Sequence, residues 1–158
     1  MINRCCWITV SNFDECLPTR LAKVKLRPEW LIVMNPRILV VEDEFLIRMS
    51  LSEALTDAGF AVLEAETAEL ALSLLDSKPP VDLLITDIQM PGQMDGTALA
   101  RVARARHPSL PIVYMTGCPS KGVCDTGLDV FIHKPYAIDD VCQIARRLIT
   151  SKGAAPVA

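Results

Sequence analysis

The sequence predicts an α/β fold, a doubly wound sheet of five parallel strands, and three observations carry that reading. From Arg37 onward, short apolar runs alternate with longer segments of helical period, as in chains whose strands are joined by right-handed helical crossovers. Glycine and proline punctuate the joins. Four of the apolar runs end in polar chemistry: Glu42-Asp43, Asp87, Thr116 and Lys134-Pro135. Open α/β sheets hold their ligands at the carboxyl ends of strands, so this edge is the candidate site.

The first strand is Arg37-Ile38-Leu39-Val40-Val41. A helix follows over 45–58, with Ile47, Leu51, Ala54, Leu55 and Ala58 on one face and Gly59 as its C-terminal stop. Phe60-Ala61-Val62-Leu63-Glu64 forms a short strand. Thr67 then caps a helix that runs to Leu75, and Lys78-Pro79-Pro80 ends that segment. The run Val81-Asp82-Leu83-Leu84-Ile85-Thr86-Asp87 makes the central strand, with Met90-Pro91-Gly92 as the turn after it. Asp95 caps a helix to about His107, with Leu99, Val102 and Ala103 inward. Leu110 to Met115 and Leu128 to His133 give the last two strands. Val141, Ile144, Ala145, Leu148 and Ile149 fall at the spacing of a core-facing final helix. Residues 151–158 read as a frayed tail.

With 158 residues, a 51% hydrophobic fraction and 22% charge, the chain has the length and core material of one soluble globular domain. Residues 1–34 read as a leader outside the fold: no glycine, three of the six cysteines, both tryptophans and no sustained period. Met34-Asn35-Pro36 runs into the first strand as a translation start would, so an added or mis-called leader is expected. The alternative is a docking arm built on Trp7, Trp30 and the cluster Arg20, Lys23, Lys25 and Arg27. Five basic and three acidic side chains lie in that leader, so of the net charge of −3 the rest of the chain holds −5. Such acidity argues against a nucleic-acid surface. No apolar run reaches the ~20 residues that span a bilayer, and no secretory signal is visible, so a cytoplasmic protein is expected. Cys5, Cys6, Cys16, Cys118, Cys124 and Cys142 form no C-x-x-C pair and read as reduced thiols.

Glu42, Asp43 and Asp87 at neighbouring strand ends repel one another unless a cation joins them. A hard divalent ion with oxygen ligands resolves the conflict, and magnesium suits a site with few carboxylates and room for water and a phosphoryl oxygen. Lys134 supplies a point charge and Thr116 a hydroxyl able to donate to the same oxygen. Together these groups describe a carboxylate poised to attack phosphorus. Taken singly, each is an ordinary strand-end residue. Pro135 marks a tight turn whose peptide isomer the sequence leaves open.

The arrangement resembles the receiver domain of bacterial two-component response regulators, a flavodoxin-like fold. Four motifs occur in order over about residues 36–150: Val40-Val41-Glu42-Asp43-Glu44, Ile85-Thr86-Asp87-Ile88-Gln89-Met90-Pro91, Met115-Thr116-Gly117 and His133-Lys134-Pro135. The resemblance implies that Asp87 accepts a phosphoryl group from a sensor histidine kinase or a histidine phosphotransfer protein. It implies a magnesium site of Asp43, Asp87 and the Gln89 backbone carbonyl, with Glu42 acting directly or through water. Thr116 and Lys134 would bind the phosphoryl group and report its arrival, with Thr116 as part of the switch. Phe131 matches the aromatic switch position, although a strand phenylalanine also serves simply as core. Gln89 and Cys118 occupy positions that tune acyl-phosphate lifetime, and Gly117 leaves the pocket open. Tyr114-Met115-Thr116-Gly117 is faintly similar to the Phe-Ala-Thr-Gly run of some single-domain receivers.

One departure stands out. Residues 117–127 are several residues shorter than the family's usual loop, helix and loop, and Pro119, Gly122 and Gly127 oppose a helix there, so a shortened or irregular fourth helix is expected. The leading expectation is a stand-alone phosphoacceptor, not an enzyme in the narrow sense, that signals through a downstream protein without binding DNA itself. A phosphorylation-independent interaction module with a non-switching output face is the alternative. A hydrolase with an aspartate nucleophile resembles Asp-x-Asp, where this chain has Gln89 two residues beyond Asp87. Nucleotide or flavin binding lacks its glycine-rich phosphate loop.

Overall fold

The structure is a computed structural model that describes residues 35–117 and 128–153. Five strands form one parallel sheet: β1 (Arg37–Val41), β2 (Ala61–Ala65), β3 (Leu83–Asp87), β4 (Ile112–Thr116) and β5 (Asp129–His133). The helices among the described residues are α1 (Phe45–Asp57), α2 (Ala68–Leu75), α3 (Gly96–Arg106) and α4 (Ile138–Gly153). Strand order is β2-β1-β3-β4-β5, so the chain reverses direction across the sheet between β1 and β3. The crevice at that reversal opens beyond the carboxyl ends of the strands that carry Glu42 and Asp87.

The sheet is apolar on both faces because successive side chains of each strand point to opposite sides. Leu39, Val41, Leu84, Ile112 and Tyr114 pack with Ala68, Ala71 and Leu75 of α2 and Leu99, Ala100 and Ala103 of α3. Ile38, Val40, Leu83, Ile85, Val113 and Met115 pack on the other face with Leu51 and Leu55 of α1 and Val141, Ala145 and Leu148 of α4. Both expected caps form: Thr67 Oγ1 accepts from the Leu70 N–H at 3.2 Å, and Asp95 Oδ1 accepts from the Ala98 N–H at 2.7 Å.

Several expected boundaries move. β2 begins at Ala61 rather than Phe60 because Phe60 still belongs to the helix stop. Its N–H donates to Leu55 O at 3.1 Å and that of Gly59 to Thr56 O at 2.9 Å, the paired bonds of a Schellman motif, with Gly59 at φ +92°. β3 and β4 each start two residues later than their apolar runs, since Val81 and Leu110 are buried but outside the ladder. α4 continues through Ser151 to Gly153, beyond the point where the tail was expected to fray, and Ser151 Oγ donates to Leu148 O at 2.8 Å. Val102 is only half-buried on α3, and Ala100 is enclosed instead. The leader 1–34, the segment after Gly117 where a shortened or irregular helix was expected, Cys118 and the extreme C-terminus lie outside the described residues.

Candidate functional site

Glu42 directly follows β1, and its N–H donates to Ala65 O of β2 at 3.2 Å, the last backbone bond before the chain turns into α1. Its side chain is buried, Asp43 beside it is exposed, and Asp87 is buried at the end of β3. One carboxylate oxygen from each of the three lies within 4.8 Å of the others. Lys134 closes the cluster: its Nζ donates to Asp87 Oδ2 at 2.5 Å and to Glu42 Oε2 at 3.0 Å. Burial raises the Glu42 carboxyl above its ordinary value despite the bonds from Lys134, and the Asp87 charge adds to the rise. Burial alone would lower the Lys134 ammonium, but its bonds to Asp87 and Glu42 outweigh that and its pKa is raised.

Register brings the other expected residues to the same edge. Asp87 lies opposite Met115, so Thr116 ends its strand one residue beyond, buried at 2% exposure. Lys134 follows the Thr116–His133 pair, and its N–H donates to Thr116 O at 2.8 Å, before a cis Lys134-Pro135 peptide. Gln89 is exposed, and its N–H donates to Asp87 Oδ1 at 3.0 Å. Gly117 is exposed, and a Cβ there would stand 3.8 Å from Gln89 Oε1. Phe131 sits two residues back along β5, half-buried and stacked on its cross-strand neighbour Tyr114 with ring centroids 4.5 Å apart and planes 3° from parallel.

Residues 38–146 match the response regulator receiver domain family. The chain belongs to that family. The receiver is 36% identical over 115 residues to the DNA-binding transcriptional regulator NtrC of Klebsiella pneumoniae, a match that takes in 70% of this chain and 24% of NtrC. It is 33% identical over 120 residues to the response regulator MprA of Mycobacterium bovis, spanning 73% of this chain and 51% of MprA. The chain thus spans between about a quarter and a half of these relatives. Among solved structures, a response regulator receiver protein from Sinorhizobium medicae superposes with a TM-score of 0.67 at 30% identity, covering 75% of this chain and 97% of that one. A CheY-like receiver domain from Methanospirillum hungatei gives a TM-score of 0.69 at 27% identity over 75% of this chain and 97% of the other.

The donor set of the receiver fits magnesium. Three carboxyl groups and one ammonium converge at one sheet edge, an excess of acid that a divalent ion would balance, and all three acids are hard oxygen donors. Glu42, Asp43 and Asp87 would hold the ion, with Gln89 exposed two residues beyond Asp87 in the chain.

Two residues that support this site were missed by sequence reasoning. Gly96 opens α3 so close to β3 that a Cβ would lie 1.8 Å from the Asp87 carbonyl oxygen, and its N–H donates to Ile88 O at 3.1 Å. Only glycine permits that approach, which fixes the peptide bearing the site's central acid. Arg48 lies buried on α1, where its spacing to Leu51, Ser52 and Leu55 places it on the core face. A basic residue at that spacing in an apolar stripe was the available signal.

Proposed function

We propose that this receiver accepts a phosphoryl group on Asp87 from a phosphohistidine of a sensor kinase or phosphotransfer protein and signals through protein contacts in the cytoplasm. The observation that carries the proposal is the buried Asp87 carboxylate, held by the Lys134 ammonium at 2.5 Å within a cluster of acids. One Asp87 oxygen attacks phosphorus, an O–P bond forms, the P–N bond breaks, and the departing imidazole keeps the electron pair. Bound magnesium would neutralise charge on the phosphoryl oxygens and on the carboxylates around them. Lys134, which pairs with both Glu42 and Asp87, has an ammonium free to turn from a carboxylate oxygen to a phosphoryl oxygen. Thr116, at the same edge, would donate its hydroxyl to another. The chain contributes self-phosphorylation and self-dephosphorylation rather than turnover of a separate substrate.

The overall charge of −5 outside residues 1–34 supports a protein partner over nucleic acid. No helix among the described residues is long and apolar enough to cross a membrane. For the switch, movement of Thr116 toward the phosphoryl group would release space for Phe131, whose ring must then leave its stack on Tyr114. Ring-proton NMR of both aromatics should shift on phosphorylation, and unchanged ring signals in the phosphorylated protein would remove Phe131 from the switch.

The function is tested by incubating the chain with a small acyl-phosphate donor and resolving it on a phosphate-retarding gel. A retarded band that requires magnesium and vanishes with a chelator is expected. Absence of that band, under conditions that label another receiver, would sink the phosphoacceptor reading and favour a fixed interaction module.

A further inference from the structure

Arg48 is 8% exposed, and its closest contacts are with the backbone of the two acids that follow β1. Its Nη1 donates to Glu42 O at 2.6 Å and approaches Asp43 O at 3.4 Å. The other side of the guanidinium faces the end of β2, with Nε 3.5 Å from Glu64 Oε2 and Nη2 4.0 Å from Glu66 Oε2. The Phe45 ring lies over the group, its centroid 5.7 Å from the guanidinium carbon.

We propose that Arg48 is a positioning residue for cation binding: its guanidinium clamps the Glu42 and Asp43 carbonyls and so holds both carboxylates toward Asp87. The inference rests on the reading of that acidic cluster as a magnesium site. Beyond β1, the carbonyls of Glu42 and Asp43 have left the sheet ladder, and a loop carrying adjacent acids tends to splay under their repulsion. One nitrogen, Nη1, reaches both successive carbonyls and opposes that splaying, while Nε and Nη2 stay turned to Glu64 and Glu66 and fix the group's orientation, a division of donors that a lysine's single ammonium reproduces less well. A positive charge near a cation site would by itself weaken binding. Glu64 and Glu66 counter that charge from the side away from the site, so what remains is geometric. Ion pairing with those exposed acids would not require contacts to the carbonyls of the cation's own ligands.

The test is calorimetric titration of magnesium chloride into the full chain, comparing wild type with Arg48→Met, Arg48→Lys and the control Arg104→Met. Arg104 bonds Leu110 O, Pro108 O and Asp129 at the amino-terminal end of β5, so its loss weakens the fold at the edge opposite the site. Arg48→Met should bind magnesium about 10-fold more weakly, the usual scale for removing a group that orients metal ligands. Arg48→Lys should fall between that variant and wild type, and Arg104→Met should match wild type. Wild-type affinity in Arg48→Met, or an equal loss in Arg104→Met, would overturn the positioning role while leaving the metal site standing. If Arg48→Met does not fold, Arg48→Lys decides the matter, and affinity equal to wild type overturns the role. No magnesium binding by wild type would bring down both the metal site and this inference.

Discussion

Asp87→Asn is expected to abolish phosphoryl uptake completely while leaving the receiver folded. The amide has no anionic oxygen to attack phosphorus, and no other acid of the cluster is held in the same way. Glu42 is enclosed beneath Lys134, and Asp43 projects to solvent. The fold should survive because the substitution keeps shape and an acceptor: asparagine's oxygen can still receive the Gln89 N–H that Asp87 Oδ1 accepts at 3.0 Å. Lys134 retains Glu42 at 3.0 Å, and loss of the neighbouring charge relieves repulsion on Glu42. The stability change should therefore stay within about 1 kcal/mol, an ordinary value for a point substitution. Intact mass after treatment with the phosphodonor reads the first effect, and thermal unfolding reads the second. A phosphoryl group still carried by the variant would move the acceptor to another residue.

Strand ends were legible because each is announced locally, by an apolar run that halts at a charged or hydroxyl residue beside a turn. Glu42, Asp43, Asp87, Thr116 and Lys134 could thus be assigned to one edge before any contact was known. What remained hidden depends on contacts between distant segments. Gly96 matters only because α3 starts against the Asp87 carbonyl, and nothing in Asp95-Gly96-Thr97 announces that approach. The spacing of Arg48 to Leu51, Ser52 and Leu55 signals a core-facing position, but the carbonyls and acids it meets are set only where the turns after β1 and β2 converge on it. The stack of Phe131 on Tyr114 follows from the β4–β5 register, which the sequence leaves unspecified. At Phe60, a β-forming side chain is overridden by a backbone bond to Leu55 that completes the helix stop. Both the strand reading and the Gly59 stop were sound locally, and the stop took precedence for one residue.

Lys134→Met is expected to cause a large loss of stability, and its pH dependence identifies the cause. Methionine matches the lysine stem but leaves Glu42 and Asp87, whose side chains are 1% and 8% exposed, facing each other without a cation. Breaking a buried ion pair from one side costs ~3–5 kcal/mol; about 3 is expected here, because Lys134 is a quarter exposed and water can enter where it stood. Burial already raises the Glu42 carboxyl, and loss of Lys134 removes the interactions that lower it. A carboxyl with a raised folded-state pKa binds its proton more tightly when folded. Its contribution is therefore complete below the ordinary value of 4.5 and is lost as pH rises through the elevated one. The gap between wild type and variant should accordingly be small in acid and widen toward neutrality. Lys134's own raised pKa works at the other end: its contribution in wild type persists below 10.5 and is lost only as pH climbs through the higher folded value. At neutral pH, magnesium should stabilise the variant more than wild type, since a divalent ion supplies the charge the ammonium no longer does. Urea unfolding across pH, with and without magnesium, measures all three effects. A gap that stays constant from acid to neutral pH, with equal stabilisation of both proteins by magnesium, would show that lost packing, not carboxylate repulsion, is what Lys134 prevents.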